Sequence, residues 1–121
     1  MAERPEDWWS DENEYVSCLM LERFTYMLLL QRLGNYTEED AVIKTLARYP
    51  YEPLGTAFRG FVFHDESWQW AMRLIYGDPP NWPSPNSVGV RQILDEVYEE
   101  CRKFDGIPPN KRLQLTGDAR D

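Results

Sequence analysis

An arginine inside an apolar helical run is the residue best placed for specific chemistry. Residues 15–30 are apolar over most of a helical circumference, and Arg23 lies near their middle. At about 100° per residue, its side chain points into the centre of the apolar arc. A buried guanidinium is very unfavourable without a counter-charge, so the sequence predicts a carboxylate partner. The candidates lie at or near the starts of other elements or on facing helices: Asp65, Glu66, Asp95 and Glu96.

Three roles for Arg23 are open from sequence. The arginine could form a structural ion pair inside the fold, or a pair at the seam of a dimer. Alternatively, its planar guanidinium could face a ligand and bind a carboxylate or phosphate group.

The only histidine adjoins two carboxylates, in the sequence His64-Asp65-Glu66. General acid–base catalysis would require His64 in a cleft, with a carboxylate orienting its ring. Asp65 is the predicted N-cap of a helix, however, and adjacent residues seldom face each other, so a structural role is favoured. The chain also contains no Gly-x-Ser-x-Gly elbow, phosphate-binding glycine loop or dinucleotide fingerprint. We therefore predict a protein that is not an enzyme and has no catalytic residues.

The sequence does not indicate a metal site. One histidine and two distant cysteines, Cys18 and Cys101, lack the spacing of a zinc site, and no EF-hand loop is present. The acidic run at residues 38–40 could hold Mg²⁺, but a solvated helix start is the simpler interpretation. We expect no metal and no cofactor.

Tryptophans are the remaining candidates for binding, because they are frequent anchors of protein interfaces. Trp68 and Trp70 lie roughly 200° apart on one predicted helix, so they cannot both face a small core. For the Trp70 ring, the alternatives are packing under a loop, a protein interface or an apolar ligand pocket. The candidate binding residues are Arg23, Trp70, Trp82, Trp8 and Trp9.

Four helices are predicted to position these residues. The first begins after Ser10 or Asp11 and runs to about Leu33, with Gly34 as its left-handed C-terminal residue. Its apolar arc is wider than a surface helix needs, so it should be the central helix. The second spans about residues 38–48 after the N-cap Thr37. The residues predicted on its inner side are Val42, Ile43, Leu46 and Tyr49.

The third helix spans residues 66–76 and the fourth runs from the cap Ser87 to about Phe104. A crossover with four prolines joins them and holds Trp82. Residues 54–64 lack a clear period and are predicted to be irregular. The predicted fold is therefore all-α, a single four-helix domain over residues 10–106, with an N-terminal arm (1–9) and a C-terminal tail (107–121). The alternative is an α+β fold with a short hairpin near 54–63.

The charge balance excludes several classes of partner. Net charge is −8, from 21 acidic and 13 basic residues, which opposes nucleic-acid binding. No apolar run reaches the ~18 residues of a membrane span, because Glu22 and Arg23 interrupt the longest one. The acidic N-terminus is unlike a secretory leader. We expect a cytoplasmic protein that contacts neither nucleic acid nor membrane.

The C-terminal tail carries a resemblance to known sequences. The segment Asn110-Lys111-Arg112-Leu113-Gln114-Leu115-Thr116-Gly117-Asp118-Ala119 resembles tails produced when a bacterial reading frame runs into the recombination site of a mobile integron gene cassette. The resemblance implies a mobile bacterial accessory gene. It implies no activity and no functional residues.

Together these features predict a non-enzymatic acidic protein that acts by protein–protein contact, as a homodimer or by neutralising a basic partner as toxin-immunity proteins do. The alternative is a small-molecule binder with an aromatic pocket between helices one, three and four, in which Arg23 orients an anionic group. An interface predicts an exposed apolar patch around Trp70 and Trp82. A ligand binder predicts a cavity with Arg23 in its wall, and an enzyme predicts His64 in a cleft beside a carboxylate.

Overall fold

The computed structural model describes residues 8–102, and every regular element within that range is helical. The α-helices are α1 (Glu12–Gly34), α2 (Glu38–Arg48), α3 (Ser67–Tyr76) and α4 (Val88–Arg102), with 3-10 turns at Phe61–His64 and Pro79–Asn81. The predicted all-α domain is confirmed. The alternative hairpin is wrong, because residues 54–63 form turns and part of a 3-10 helix. The predictions for residues 1–7, for the end of α4 and for the cassette-like tail lie outside the described residues.

Helix α1 is the centre of the domain. Each of the other three helices packs mainly against it, and every residue from 23 to 30 is buried. A helix that is apolar on all sides must be covered on all sides. The width of the apolar arc in the sequence therefore predicted the position of this helix correctly.

The end of α1 differs from the sequence prediction by one residue. Gly34 is still helical, and Asn35 takes the left-handed conformation with φ 56°. Asparagine tolerates this conformation because its short polar side chain hydrogen-bonds locally. Gly34 is needed for close approach instead, since a Cβ there would lie 2.8 Å from the Tyr36 ring and 3.0 Å from Ile75.

The caps of α2 and α3 follow the residue types that precede them. The Thr37 hydroxyl accepts the Asp40 N–H at 3.1 Å, as predicted. Helix α3 is capped by Glu66 rather than Asp65, because Glu66 and Gln69 satisfy each other's backbone N–H groups reciprocally.

One inner-face assignment on α2 is also wrong. Ile43 is 56% exposed, while Ala41 and Thr45 face the core. Ile43 lies about 200° around the helix from both Ala41 and Thr45, so it points outward when they face the core.

The Pro-rich crossover between α3 and α4 holds Trp82 as expected. Gly77 ends α3 with φ 85°, and its carbonyl accepts the Trp82 indole N–H at 2.8 Å. The Trp82 ring packs edge-on against Trp68, with centroids 6.0 Å apart. Helix α4 begins directly after Ser87, whose backbone carbonyl accepts the Arg91 N–H at 2.8 Å.

Candidate functional site

The irregular segment between α2 and α3 is organised by a buried arginine. The Arg59 side chain is completely buried. Its Nε donates to the Glu52 carbonyl at 2.8 Å and its Nη1 to the Trp9 carbonyl at 2.9 Å. Its Nη2 donates to the Glu12 carboxylate in an ion pair. The guanidinium also lies 3.9 Å from the centroid of the Tyr15 ring. One side chain therefore joins the N-terminal segment, the start of α1 and the segment before α3.

Further polar contacts close this arrangement, which we call the Arg59 cluster: Arg59, Glu12, Tyr15, Tyr51 and Glu52. Tyr51 donates its hydroxyl hydrogen to Glu12 at 2.6 Å. The Tyr15 hydroxyl accepts the Glu52 N–H at 2.8 Å, and burial raises the pKa of Tyr15. Because these donors and acceptors satisfy one another, Arg59 can be buried without leaving an uncompensated charge.

The Arg59 cluster supports a group of four rings on the surface, which we call the aromatic shelf: Trp8, Phe58, Phe61 and His64. The Trp8 ring lies 5.0 Å from Phe58 and 6.4 Å from Phe61, measured between centroids. Phe61 stacks on His64 at 5.7 Å. Phe58 is 48% exposed and Phe61 is 60% exposed. Contiguous exposed aromatic surface of this kind is typical of interaction sites.

The backbone beneath the shelf has positive φ angles, which residues other than glycine rarely adopt. Phe58 has φ 56° and Gly60 has φ 85°. Trp9 packs onto Gly60 so closely that a Cβ there would lie 2.4 Å from the indole ring. Trp9 also packs edge-on against Tyr15 and Phe63, at 5.8 and 5.5 Å. Trp9 therefore lies behind the shelf as its support, whereas Trp8 is part of the shelf.

Arg23 lies in the core, completely buried, and its Nε donates to the Tyr49 carbonyl at 2.9 Å. Its predicted burial is confirmed. The four carboxylates proposed as its partners have other contacts. Asp95 pairs with Arg91 at 3.0 Å, Glu66 caps α3, Asp65 lies beside His64 and Glu96 accepts from Gln92.

Trp70 and Trp82 are half-buried in different intramolecular contacts. The Arg48 guanidinium lies 4.1 Å above the Trp70 ring, and the Trp70 indole N–H points to the Val62 carbonyl at 3.4 Å. Trp82 lies against Trp68 and 5.7 Å from the Arg73 guanidinium. Neither ring belongs to the aromatic shelf, so the exposed aromatic surface forms elsewhere than the sequence suggested.

His64 does not form a catalytic pair with its neighbour. Its side chain is 77% exposed, and its Nδ1 lies 3.8 Å from the Asp65 carboxylate, beyond hydrogen-bond distance. Residues 8–102 contain no group of three or more potential metal ligands. The same range has no helix with the length and apolar character required to span a bilayer.

A cavity of about 660 Å³ lies between α1, α3 and α4. This is the place where the sequence suggested an aromatic pocket with Arg23 in its wall. The charged side chain that α1 contributes to its lining is Glu22, the neighbour of Arg23. Arg23 is completely buried and is not among the residues that line this cavity.

Sequence reasoning missed the two features that define the shelf. Arg59 was not singled out because its partners lie 47 and 50 residues away along the chain. Phe58 and Phe61 lie in a segment without helical or strand period. The available signal was an arginine next to a phenylalanine, Phe58, between Gly55 and Gly60.

Comparisons of the chain with protein-family models, curated proteins and solved structures gave no match.

Proposed function

We propose that this protein is a non-enzymatic binding protein that docks a basic protein partner on the aromatic shelf. The observation that carries the proposal is the exposure of Phe58 and Phe61 on a segment held by a completely buried arginine. Burying one phenylalanine side chain stabilises a protein by roughly 1.5–3 kcal/mol. A fold that leaves two of them exposed forgoes that stabilisation.

The conformation of Phe58 supports the same conclusion. A left-handed backbone costs an L-residue other than glycine about 1–2 kcal/mol. Phe58 adopts φ 56° and nevertheless directs nearly half of its side chain to solvent. Stability alone does not account for a strained residue with an exposed ring, and such strain is concentrated at functional sites.

The charge of the surface favours a basic partner over a second copy of this chain. Residues 8–102 carry fifteen acidic and eight basic side chains, and two of the basic ones, Arg23 and Arg59, are buried. Glu14 lines the concave surface beside Trp8 and Phe61. Two copies would bring like charges together, whereas a basic segment would be attracted to the shelf.

We also place the protein in the cytoplasm. Cys18 and Cys101 are free thiols in the structure, which is typical of a reducing compartment. Origin from a mobile bacterial cassette stays a prediction from the tail sequence.

A selection from a random peptide library displayed on phage tests the docking proposal. We expect the full-length protein to enrich peptides in which Lys or Arg flanks an apolar residue. If Phe61 is a hot spot of the interface, Phe61→Ser should weaken binding of a selected peptide at least tenfold, since truncating a hot-spot residue costs about 2 kcal/mol or more (about thirtyfold). The matched control is Ile43→Ser, which removes an exposed apolar side chain on α2.

A second variant separates binding from stability. Phe58→Gly relieves the left-handed strain, so its melting temperature should stay within a few degrees of wild type while peptide binding is lost. The proposal fails if Ile43→Ser weakens the peptides as much as Phe61→Ser does, or if the enriched peptides are acidic. Sedimentation equilibrium tests whether a second copy of the chain binds the shelf instead. A dimer that Phe61→Ser dissociates would contradict the basic partner and assign the shelf to a homodimer interface.

A further inference from the structure

The cavity between α1, α3 and α4 is a second concave surface, separate from the aromatic shelf. Its volume of about 660 Å³ lies within the range of small-molecule sites, roughly 300–1,000 Å³. Apolar walls come from α1, α3 and α4, and the Pro-rich crossover closes one side. The residues that line the cavity include Leu21, Glu22, Glu66, Ser67, Trp68 and Tyr98.

Two carboxylates, Glu22 and Glu66, line this cavity. Burial raises the pKa of Glu22, and the nearby charge of Glu66 raises it further. Ser67, itself buried, lines the same cavity together with Glu22 and Tyr98. Trp68 donates its indole N–H to Glu66, which orients the second carboxylate.

The two arginines that line the same cavity, Arg91 and Arg102, are paired with carboxylates of α4. Arg91 pairs with Asp95 one turn further along α4, at 3.0 Å, and both side chains are exposed. Arg102 pairs with Glu99 on the same helix. These pairs balance charge at the solvent side of α4, while Glu22 lies against α3 beside Ser67.

We propose that the α1–α3–α4 cavity binds a small organic ammonium ion that has an apolar or aromatic body. The ammonium group would lie between Glu22 and Glu66, and the apolar body would lie against Leu21 and the Trp68 ring. An organic cation fits better than Ca²⁺, because two carboxylates in a largely apolar pocket offer too few of the roughly six to eight oxygen ligands that Ca²⁺ takes. An organic cation also finds an aromatic ring in the wall. This proposal does not depend on the function of the aromatic shelf.

The test compares three probes of similar size on the full-length protein by isothermal titration calorimetry. They are 2-phenylethylammonium, neutral 2-phenylethanol and anionic 3-phenylpropionate. We expect the ammonium to bind at least tenfold more tightly than the alcohol and the carboxylate to show no binding. A charged hydrogen bond of this kind contributes roughly ten- to hundredfold in affinity.

Two variants and a control locate the site. Glu22→Gln should reduce the affinity for 2-phenylethylammonium at least tenfold, whereas Glu39→Gln, an exposed carboxylate change on α2, should leave it unchanged. Leu21→Trp should weaken the binding of 2-phenylethylammonium, because the larger side chain would fill the cavity from its exposed edge. The proposal is overturned if the alcohol binds as tightly as the ammonium, if Glu22→Gln retains wild-type affinity, or if no heat is detected at millimolar ammonium. If Glu22→Gln does not fold, the comparison of the three probes on the wild type still decides.

Discussion

Replacing Arg59 with methionine should destabilise the whole domain, because Arg59 joins three segments that are distant in sequence. Methionine preserves most of the length and apolar volume of the side chain but removes its charge and its donors. The change leaves the carbonyls of Trp9 and Glu52 without the donors that lie 2.9 and 2.8 Å away in the wild type. It also removes the ion pair between Arg59 and the Glu12 carboxylate.

The expected loss can be worked from these contacts. Breaking a buried ion pair by removing one partner costs about 3–5 kcal/mol. The Glu12 side chain is 40% exposed and regains some hydration, so the lower limit, about 3 kcal/mol, applies. For a domain of this size that corresponds to a decrease in melting temperature of roughly 10–15 °C. Total stability is typically about 5–15 kcal/mol, so the variant should still fold.

Urea denaturation followed by tryptophan fluorescence measures this loss directly. The matched control is Arg91→Met, which removes an exposed i,i+4 pair on α4 and should cost less than about 0.5 kcal/mol. Arg59→Lys retains the charge but not the planar guanidinium, so its loss of stability should lie between those of Arg59→Met and Arg91→Met. A loss below about 1 kcal/mol for Arg59→Met would refute the view that the Arg59 cluster holds the segment before α3.

Three further predictions follow from the backbone and from Glu22. Gly60→Ala should cost about 2 kcal/mol or more of stability, because φ is 85° and a Cβ would lie 2.4 Å from the Trp9 ring. The control, Gly89→Ala, lies in open space on α4 and should stabilise the domain by about 0.5–1 kcal/mol. Thermal melts of the two variants measure the difference. Asn35→Ala should cost about 1 kcal/mol and Asn35→Gly should be nearly neutral, because Asn35 is left-handed; equal losses in urea would contradict this. Burial raises the pKa of Glu22 above its ordinary value of 4.5, so ionisation is harder in the folded protein and stability decreases as pH rises above about that value. Glu22→Gln should therefore melt higher than wild type at pH 7, with the difference disappearing towards pH 4; a constant difference across that range would show that ionisation is not the cause.

Helix positions were largely predictable because they depend on local signals. The N-cap Thr37 and the terminator Gly77 were assigned correctly, since capping and left-handed residues act on their immediate neighbours. The burial of Arg23 was also predictable, because it follows from a helical period that holds over four turns. The errors at Gly34 and Asp65 are shifts of one residue, where two neighbours could serve as the cap.

The candidate site was much less predictable, for a physical reason that Arg59 and Phe58 illustrate. Arg59 is buried because Glu12 and the Trp9 carbonyl reach it across 47 and 50 residues, and no local pattern encodes such contacts. Phe58 is 48% exposed in a left-handed conformation directly before Arg59, and no helical or strand period in the sequence indicates that conformation.

The sequence by itself determined the helical class of the domain, the central position of α1 and the acidic surface, since periodicity, capping and net charge are properties of the chain alone. The tertiary structure decided which arginine holds distant segments together, which aromatic rings reach the surface and which charge lines the cavity. Those outcomes depend on distances between residues far apart in sequence, and such distances exist only after the chain has folded.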